Sequence, residues 1–101
     1  MFMFMSREIM HCKPGKVKEL VEKFKVLSGA MKEMGLPPVR VYTDVSGEQY
    51  WTVVVEQDVN SLDEMANIAR KTMSDPKVAA AMKGYHELVN DGRRELYRAE
   101  Q

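Results

Sequence analysis

Hydrophobic residues recur every three or four positions over two long stretches of the chain, and this spacing predicts helices. In the first stretch they run from Val17 to Met34, with lysine and glutamate filling the positions between them. Gly35 follows the last apolar residue and the pair Pro37-Pro38 comes soon after, the usual signals of a helix end. The pattern therefore predicts one amphipathic helix that ends near Gly35.

The second helical stretch contains an internal restart. It begins at Ser61-Leu62-Asp63-Glu64, which has the form of a capping box. Ser74-Asp75-Pro76 then predicts a new helix, with Asp75 as the N-cap and Pro76 at the first helical position. The apolar stripe continues through Tyr85 to Val89, and we expect Asp91-Gly92 to end it.

Four segments have the composition of strands. They are Phe2 to Cys12, Val39 to Asp44, Gln49 to Gln57 and Arg93 to Glu100. The second and third surround Val45-Ser46-Gly47 and are predicted to form a hairpin. The fourth is rich in charged residues, which suits a position near the edge of a sheet.

Two registers of the hairpin are open from the sequence. A two-residue turn would place Tyr42 opposite Trp51, whereas a type I turn with Gly47 as a positive-φ bulge residue places Tyr42 opposite Tyr50 and Val41 opposite Trp51. We favour the second register because it sorts the side chains between the two faces of the sheet. One face then carries Val39, Val41, Trp51, Val53 and Val55, and the other carries Arg40, Tyr42, Tyr50, Thr52 and Glu56.

The order of elements predicts an α+β fold of the ferredoxin-like βαββαβ type. It has a four-stranded antiparallel sheet with helices on one face, in a single domain of residues 1–101. The opposite face of the sheet is too aromatic for a plain wet surface and too polar for a core. We expect it to form a homodimer interface through Arg40, Tyr42, Tyr50 and Thr52.

Composition narrows the classes of function. The chain has 101 residues, of which 45% are hydrophobic and 30% charged, and these values suit one globular domain without a membrane span. Fifteen basic residues balance fifteen acidic ones, so we expect no nucleic-acid partner. The single cysteine, Cys12, forms no intrachain disulfide, and a cytoplasmic location is expected. We expect no metal, since the nine methionines suit an adaptable core.

The chain resembles the dimeric α/β-barrel superfamily, and within it the small NIPSNAP-like and antibiotic-biosynthesis-monooxygenase-like (ABM-like) proteins. The resemblance rests on Lys13-Pro14-Gly15-Lys16 before the amphipathic helix, on the Gly47 hairpin, and on Ser74-Asp75-Pro76 within the second helical stretch. It implies a dimeric α/β barrel. The superfamily includes cofactor-independent monooxygenases, haem-degrading enzymes and isomerases, so the resemblance implies no single activity.

His86 and Trp51 are the main candidate site residues. His86 lies at the margin of the second apolar stripe, where an imidazole acts either as a general base or as a hydrogen-bonded structural group. Trp51 is assigned to the helix-covered face, either as core or as the apolar wall of a pocket, with Tyr85 and Leu62 completing that wall.

We therefore expect the protein to bind a small apolar, aromatic or acyl molecule between sheet and helices, without a cofactor. One alternative is a cofactor-independent monooxygenase that uses His86 as the base. A second alternative is a structural or interaction dimer without a ligand.

Glu8 and Glu56 raise two further questions. The resemblance to haem-degrading enzymes implies an asparagine, a tryptophan and a histidine at positions where this chain has Glu8, Glu56, and Ala81 or Met82, so no haem degradation is expected. The two glutamates suit either an acid and base pair or ion pairs, and we favour ion pairs because arginines are available. The available partners are Arg40, Arg94 and Arg98.

Overall fold

The chain folds into four strands and four helices. The computed structural model describes residues 2–100. The elements in chain order are β1 (Phe4–Cys12), α1 (Val17–Glu33), β2 (Arg40–Thr43), β3 (Thr52–Val59), α2 (Leu62–Met73), α3 (Pro76–Met82), α4 (Tyr85–Leu88) and β4 (Val89–Arg98).

The strands form one sheet in the order β2-β3-β1-β4, and all neighbouring pairs are antiparallel. The helices pack on one face of this sheet, which confirms the ferredoxin-like prediction. β4 forms one edge of the sheet, as its charged composition predicted. No helix among residues 2–100 has the length and apolar character needed to cross a membrane.

The helix-covered face of the sheet holds the core. Val53, Val55 and Val59 of β3 are buried, whereas the residues between them are half-buried, so the side chains of this strand alternate between two environments. The buried face of α1 packs on them with Leu20 and Phe24. The predicted spacing of apolar residues in α1 is confirmed by this packing.

Both predicted helix starts are confirmed by their caps. The Ser61 Oγ accepts a hydrogen bond from the Glu64 backbone N–H at 3.0 Å. The Asp75 carboxylate accepts from the backbone N–H groups of Lys77 and Val78, at 2.8 and 3.4 Å. These caps satisfy donors that the first helical turn cannot pair internally.

The predicted end of the second helical stretch at Asp91-Gly92 is wrong. α3 ends at Met82, Gly84 adopts a left-handed conformation with φ of 82°, and the chain makes only the short α4 before β4 begins at Val89. Gly92 instead pairs with Met10 inside the sheet. A Cβ atom on Gly92 would lie 2.8 Å from the Ile9 carbonyl oxygen, so glycine is needed for the close approach of β4 to β1.

The predicted hairpin register is also wrong, by four residues. Val41 pairs with Val55 and Tyr42 with Val54, so the connection is longer than a tight turn. The Asp44 side chain closes it by accepting a hydrogen bond from the Thr52 N–H at 2.8 Å. Because the shift is an even number, the predicted faces of Val41, Val53 and Val55 are correct.

Tyr50 and Trp51 belong to the long connection rather than to a strand. The connection does not use Gly47 as a positive-φ residue; Trp51 has φ of 60° instead. The Trp51 carbonyl accepts a hydrogen bond from the Cys12 N–H at 2.8 Å. The side chains of Tyr50 and Trp51 are 86% and 44% exposed, so the predicted burial of Trp51 under the helices is wrong.

Candidate ligand cavity and its polar groups

A cavity of about 630 Å³ lies between the helix-covered face of the sheet and the helices. α1 and α2 supply its apolar walls because their buried residues recur at helical spacing. The principal apolar side chains are Phe24, Leu27, Met31, Met65, Ile68 and Met82. Ala66 and Ala69 of α2 also line the space, and their small side chains leave it unfilled.

An ion pair lies on the β4 side of the cavity. The Arg94 Nε donates to a Glu8 carboxylate oxygen at 2.8 Å, across the antiparallel pair of β1 and β4. The Arg94 side chain is 68% exposed and that of Glu8 is 32% exposed, so this end of the cavity is open to water. The predicted ion pairing of Glu8 is confirmed.

α4 brings Tyr85 and His86 into the cavity lining. The Tyr85 ring makes edge contacts with Phe24, at 6.4 Å between centroids, and with His86, at 5.0 Å. Burial raises the pKa of the Tyr85 phenol, and the nearby negative charge of Glu8 raises it further. Tyr85 therefore carries its proton at neutral pH and is a hydrogen-bond donor.

Trp51 and Leu62 lie outside the lining of this cavity. Leu62 is the first residue of α2 and is 51% exposed, whereas Trp51 lies where β3 begins. The structure therefore brings together Tyr85 and His86 but separates them from Trp51 and Leu62. The expectation of a shared pocket failed because the sequence register placed Trp51 in the middle of a strand.

Gln57 is a cavity residue that the sequence analysis did not identify. It lies on the buried face of β3 and is only 8% exposed. Its Nε2 donates to the Pro37 carbonyl oxygen at 2.7 Å. The available signal was the alternation of Val53, Val55, Gln57 and Val59, in which one polar residue occupies a buried position.

The opposite, open face of the sheet carries a network of ion pairs. Glu56 accepts from the Arg7 Nε at 2.8 Å, and Arg40 pairs with Asp58 at 2.8 Å. A shallower depression of about 420 Å³ lies over this network and includes His11 and Tyr42. Since Glu8 lies on the helix-covered face, Glu8 and Glu56 are on opposite sides of the sheet and do not form an acid and base pair.

The environment of Cys12 argues against a nucleophilic role. The side chain is buried, and burial raises the pKa of the thiol, with a smaller contribution from the charge of Asp44. A protonated buried thiol is a weak nucleophile. Over the part of the chain that the structure describes, no three or more histidine, cysteine, aspartate or glutamate side chains form a group that could hold a metal ion.

The architecture defines a ferredoxin-like α+β protein with a cavity beneath its helices, and the solved structures that share this fold include NIPSNAP-domain proteins. A NIPSNAP-domain protein from Burkholderia xenovorans is 16% identical and has a TM-score of 0.78 over 97% of this chain and 95% of its own. A NIPSNAP-family protein of unknown function from Agrobacterium tumefaciens is 14% identical, with a TM-score of 0.78 over 99% and 90%. The fold is therefore NIPSNAP-like, as the sequence resemblance implied.

A second NIPSNAP-family protein from Agrobacterium tumefaciens is 16% identical, with a TM-score of 0.80 over 98% of this chain and 87% of its own. No protein-family model and no curated protein sequence matches the chain. At these identities the likeness establishes the fold and leaves the function to be argued from the site.

Proposed function

We propose that the protein is a homodimer that binds a small apolar, aromatic or acyl molecule in the cavity between sheet and helices. The observation that supports binding is the cavity of about 630 Å³, whose apolar walls surround a few polar groups. Small-molecule sites commonly have volumes of about 300–1,000 Å³ and this kind of lining. The space is open to water beside Arg94, so a ligand can enter it from solvent.

Filling the cavity tests the binding proposal. Ala69 lines the cavity from α2, and Ala69→Phe would occupy it with a ring. Ala79→Phe makes the same change on an exposed position of α3 that does not line the cavity. We expect para-hexylphenol or decanoate to bind the parent protein and the Ala79 variant, and to bind the Ala69 variant at least about tenfold more weakly, a loss of ~1.4 kcal/mol.

Isothermal titration calorimetry measures these affinities directly. If neither probe binds the parent protein, the binding proposal is wrong and the ligand-free structural dimer replaces it. If both variants bind like the parent protein, the ligand occupies some other place.

The open face of the sheet supports the homodimer. The strand pairing places Arg7, Arg40, Arg93 and His11 on this face together with Glu56, Asp58, Asp91 and Glu95. Because the charges of both signs nearly balance and are already paired within the chain, a second copy can cover this face without leaving unpaired charges. Tyr42 and Thr52 lie on the same face, and the exposed Tyr50 projects from the adjoining connection. Aromatic and arginine side chains are enriched at protein interfaces.

A double charge substitution tests the dimer. Arg40→Glu places new negative charge beside Glu56 and Asp58, and Tyr50→Asp adds a second negative charge in the adjoining connection. We expect the dissociation constant of the dimer to rise by at least about tenfold. Lys18→Glu, on the exposed side of α1, serves as the control for charge reversal alone. Sedimentation at micromolar concentration measures the assembly, and a monomeric parent protein would contradict the proposal.

A second candidate function is a cofactor-independent monooxygenase, which the position of His86 in the cavity lining favours. An imidazole at this position can act as the base that removes the proton of a bound phenol or enol, and the resulting anion can react with oxygen. We expect His86→Gln to lower oxygen uptake with a phenolic substrate by about 100-fold or more if the histidine is the base. An unchanged rate, or no uptake by the parent protein, rejects this candidate.

A further inference from the structure

The floor of the cavity contains two polar side chains that face each other across neighbouring strands. Gln57 of β3 pairs with Ser6 of β1, and both residues line the cavity. Directly opposed side chains of antiparallel strands have Cβ atoms about 4.5–5.5 Å apart. Their amide and hydroxyl groups can therefore contact the same small group.

The orientation of the Gln57 amide is fixed by its neighbour. A carbonyl oxygen only accepts hydrogen bonds, so the atom 2.7 Å from the Pro37 carbonyl is the amide nitrogen Nε2. The only other contact of this nitrogen is with the Met31 sulfur at 4.0 Å. The amide oxygen Oε1 is thereby placed on the other side of the group, where no residue among 2–100 donates a hydrogen bond to it.

The free atoms of this pair are accessible from the cavity. Every fully buried side-chain nitrogen or oxygen in the described part of the chain has a hydrogen-bond partner. Gln57 Oε1 has none, so it retains access to solvent although the residue is 92% buried, and the space beside it is the cavity. The Ser6 hydroxyl likewise makes no hydrogen bond with residues 2–100. Covering such an acceptor with an apolar ligand costs free energy, because the oxygen loses its contact with water and gains no hydrogen bond in return.

We propose that the cavity selects a ligand that carries a neutral hydroxyl group at its buried end. The hydroxyl donates to Gln57 Oε1 and accepts from the Ser6 hydroxyl, and these two contacts match the donor and acceptor capacity of one O–H group. An ammonium group would bring its charge into the apolar part of the cavity, at a large desolvation cost, and a carboxylate cannot donate to Gln57. The apolar body of the ligand lies against Leu27, Met31 and Ile68. This inference rests on the proposed binding function and specifies its ligand class.

Two ligands that differ only in the donor test the inference. We expect the methyl ether of para-hexylphenol to bind the parent protein about tenfold more weakly than the phenol itself, because the ether leaves Gln57 Oε1 unpaired. In Gln57→Leu the two affinities should become nearly equal. Gln49→Leu makes the same change on the exposed connection between β2 and β3 and should keep the tenfold preference.

Ser6→Ala provides a second variant that leaves the bond between Gln57 and Pro37 intact. It should weaken both ligands about threefold and leave the preference for the phenol near tenfold, because the oxygen atoms of the phenol and of the ether both accept from Ser6. Equal affinities of the two ligands for the parent protein would overturn the hydroxyl assignment while the proposed binding function stands. A tenfold preference that persists in Gln57→Leu would also overturn it. If neither ligand binds, the proposed function and this inference both fail.

Discussion

The two faces of the sheet differ in chemistry although the same strands supply both. On the helix-covered face Val53 and Val59 are fully buried, whereas on the open face Val54 and Glu56 are half-buried. The helix-covered face includes an unfilled cavity with few polar groups. The open face has its charges paired within the chain, as in the bonds from Arg7 to Glu56 and from Arg40 to Asp58.

The two faces suit different kinds of binding partner. An apolar cavity with few polar groups suits a small molecule, whose orientation those groups can fix. A broad sheet face with paired charges and an aromatic side chain suits a second protein surface. The helix layer does not extend fully over β4, where the cavity residue Arg94 is 68% exposed, and the cavity is open to water there. The comparison can be tested by making matched changes on the two faces.

Truncation of adjacent valines gives the largest expected difference. Val53→Ala removes fully buried methyl groups and leaves a void, so we expect a loss of about 2–3 kcal/mol in the free energy of unfolding. Val54→Ala, one residue along the strand and on the other face, should cost less than about 1 kcal/mol in the monomer. Urea unfolding measures both. Equal losses in dilute protein would contradict the assignment of the faces, whereas a Val54 loss that grows with protein concentration would indicate a partner on the open face.

Neutralising Glu56 should have a smaller effect. Its carboxylate accepts from Arg7 at 2.8 Å and lies 3.5 Å from Arg40, and its side chain is 17% exposed. Glu56→Gln keeps the shape but removes the charge, so we expect a loss of about 1 kcal/mol in the monomer. Glu22→Gln, which removes the exposed pair with Lys25 on α1, should cost less than about 0.5 kcal/mol. A loss of about 3 kcal/mol or more at Glu56 in dimeric protein would indicate that a partner covers the pair.

The smallest expected effect is a shift in the titration of Glu95. Hydrogen bonds from Arg93 and then Tyr97 hold the pKa of this half-buried carboxyl below its ordinary value of 4.5. Because the folded-state pKa is lowered, the stabilisation is present above pH 4.5 and is lost as the pH falls through the folded-state pKa. Carbon-13 NMR of the carboxyl group should give a midpoint below 4.5, and Arg93→Gln should raise it. A midpoint at or above the ordinary value would show that the open-face pairs do not form in solution.

The sequence by itself determined the elements whose signals are local. The apolar spacing of α1 sets which of its faces is buried, and the caps at Ser61 and Asp75 act within one helical turn. The alternation along β3 identified Val53 and Val55 as core residues, and an even register shift left that assignment correct. The order of these elements was sufficient to predict the ferredoxin-like sheet.

Tertiary structure decided the features that depend on contacts between distant segments. The connection before Trp51 is set by the bond from Asp44 to Thr52 and by the pairing of Trp51 with Cys12, which local turn preferences do not report. Gly92 reads as a helix stop in the sequence, yet it is required where β4 approaches the Ile9 carbonyl. The role of Gln57 likewise depends on the Pro37 carbonyl, which fixes one end of its amide and leaves the other free. Long-range pairing sets these positions because backbone approach and hydrogen-bond partners exist only after the segments have packed together.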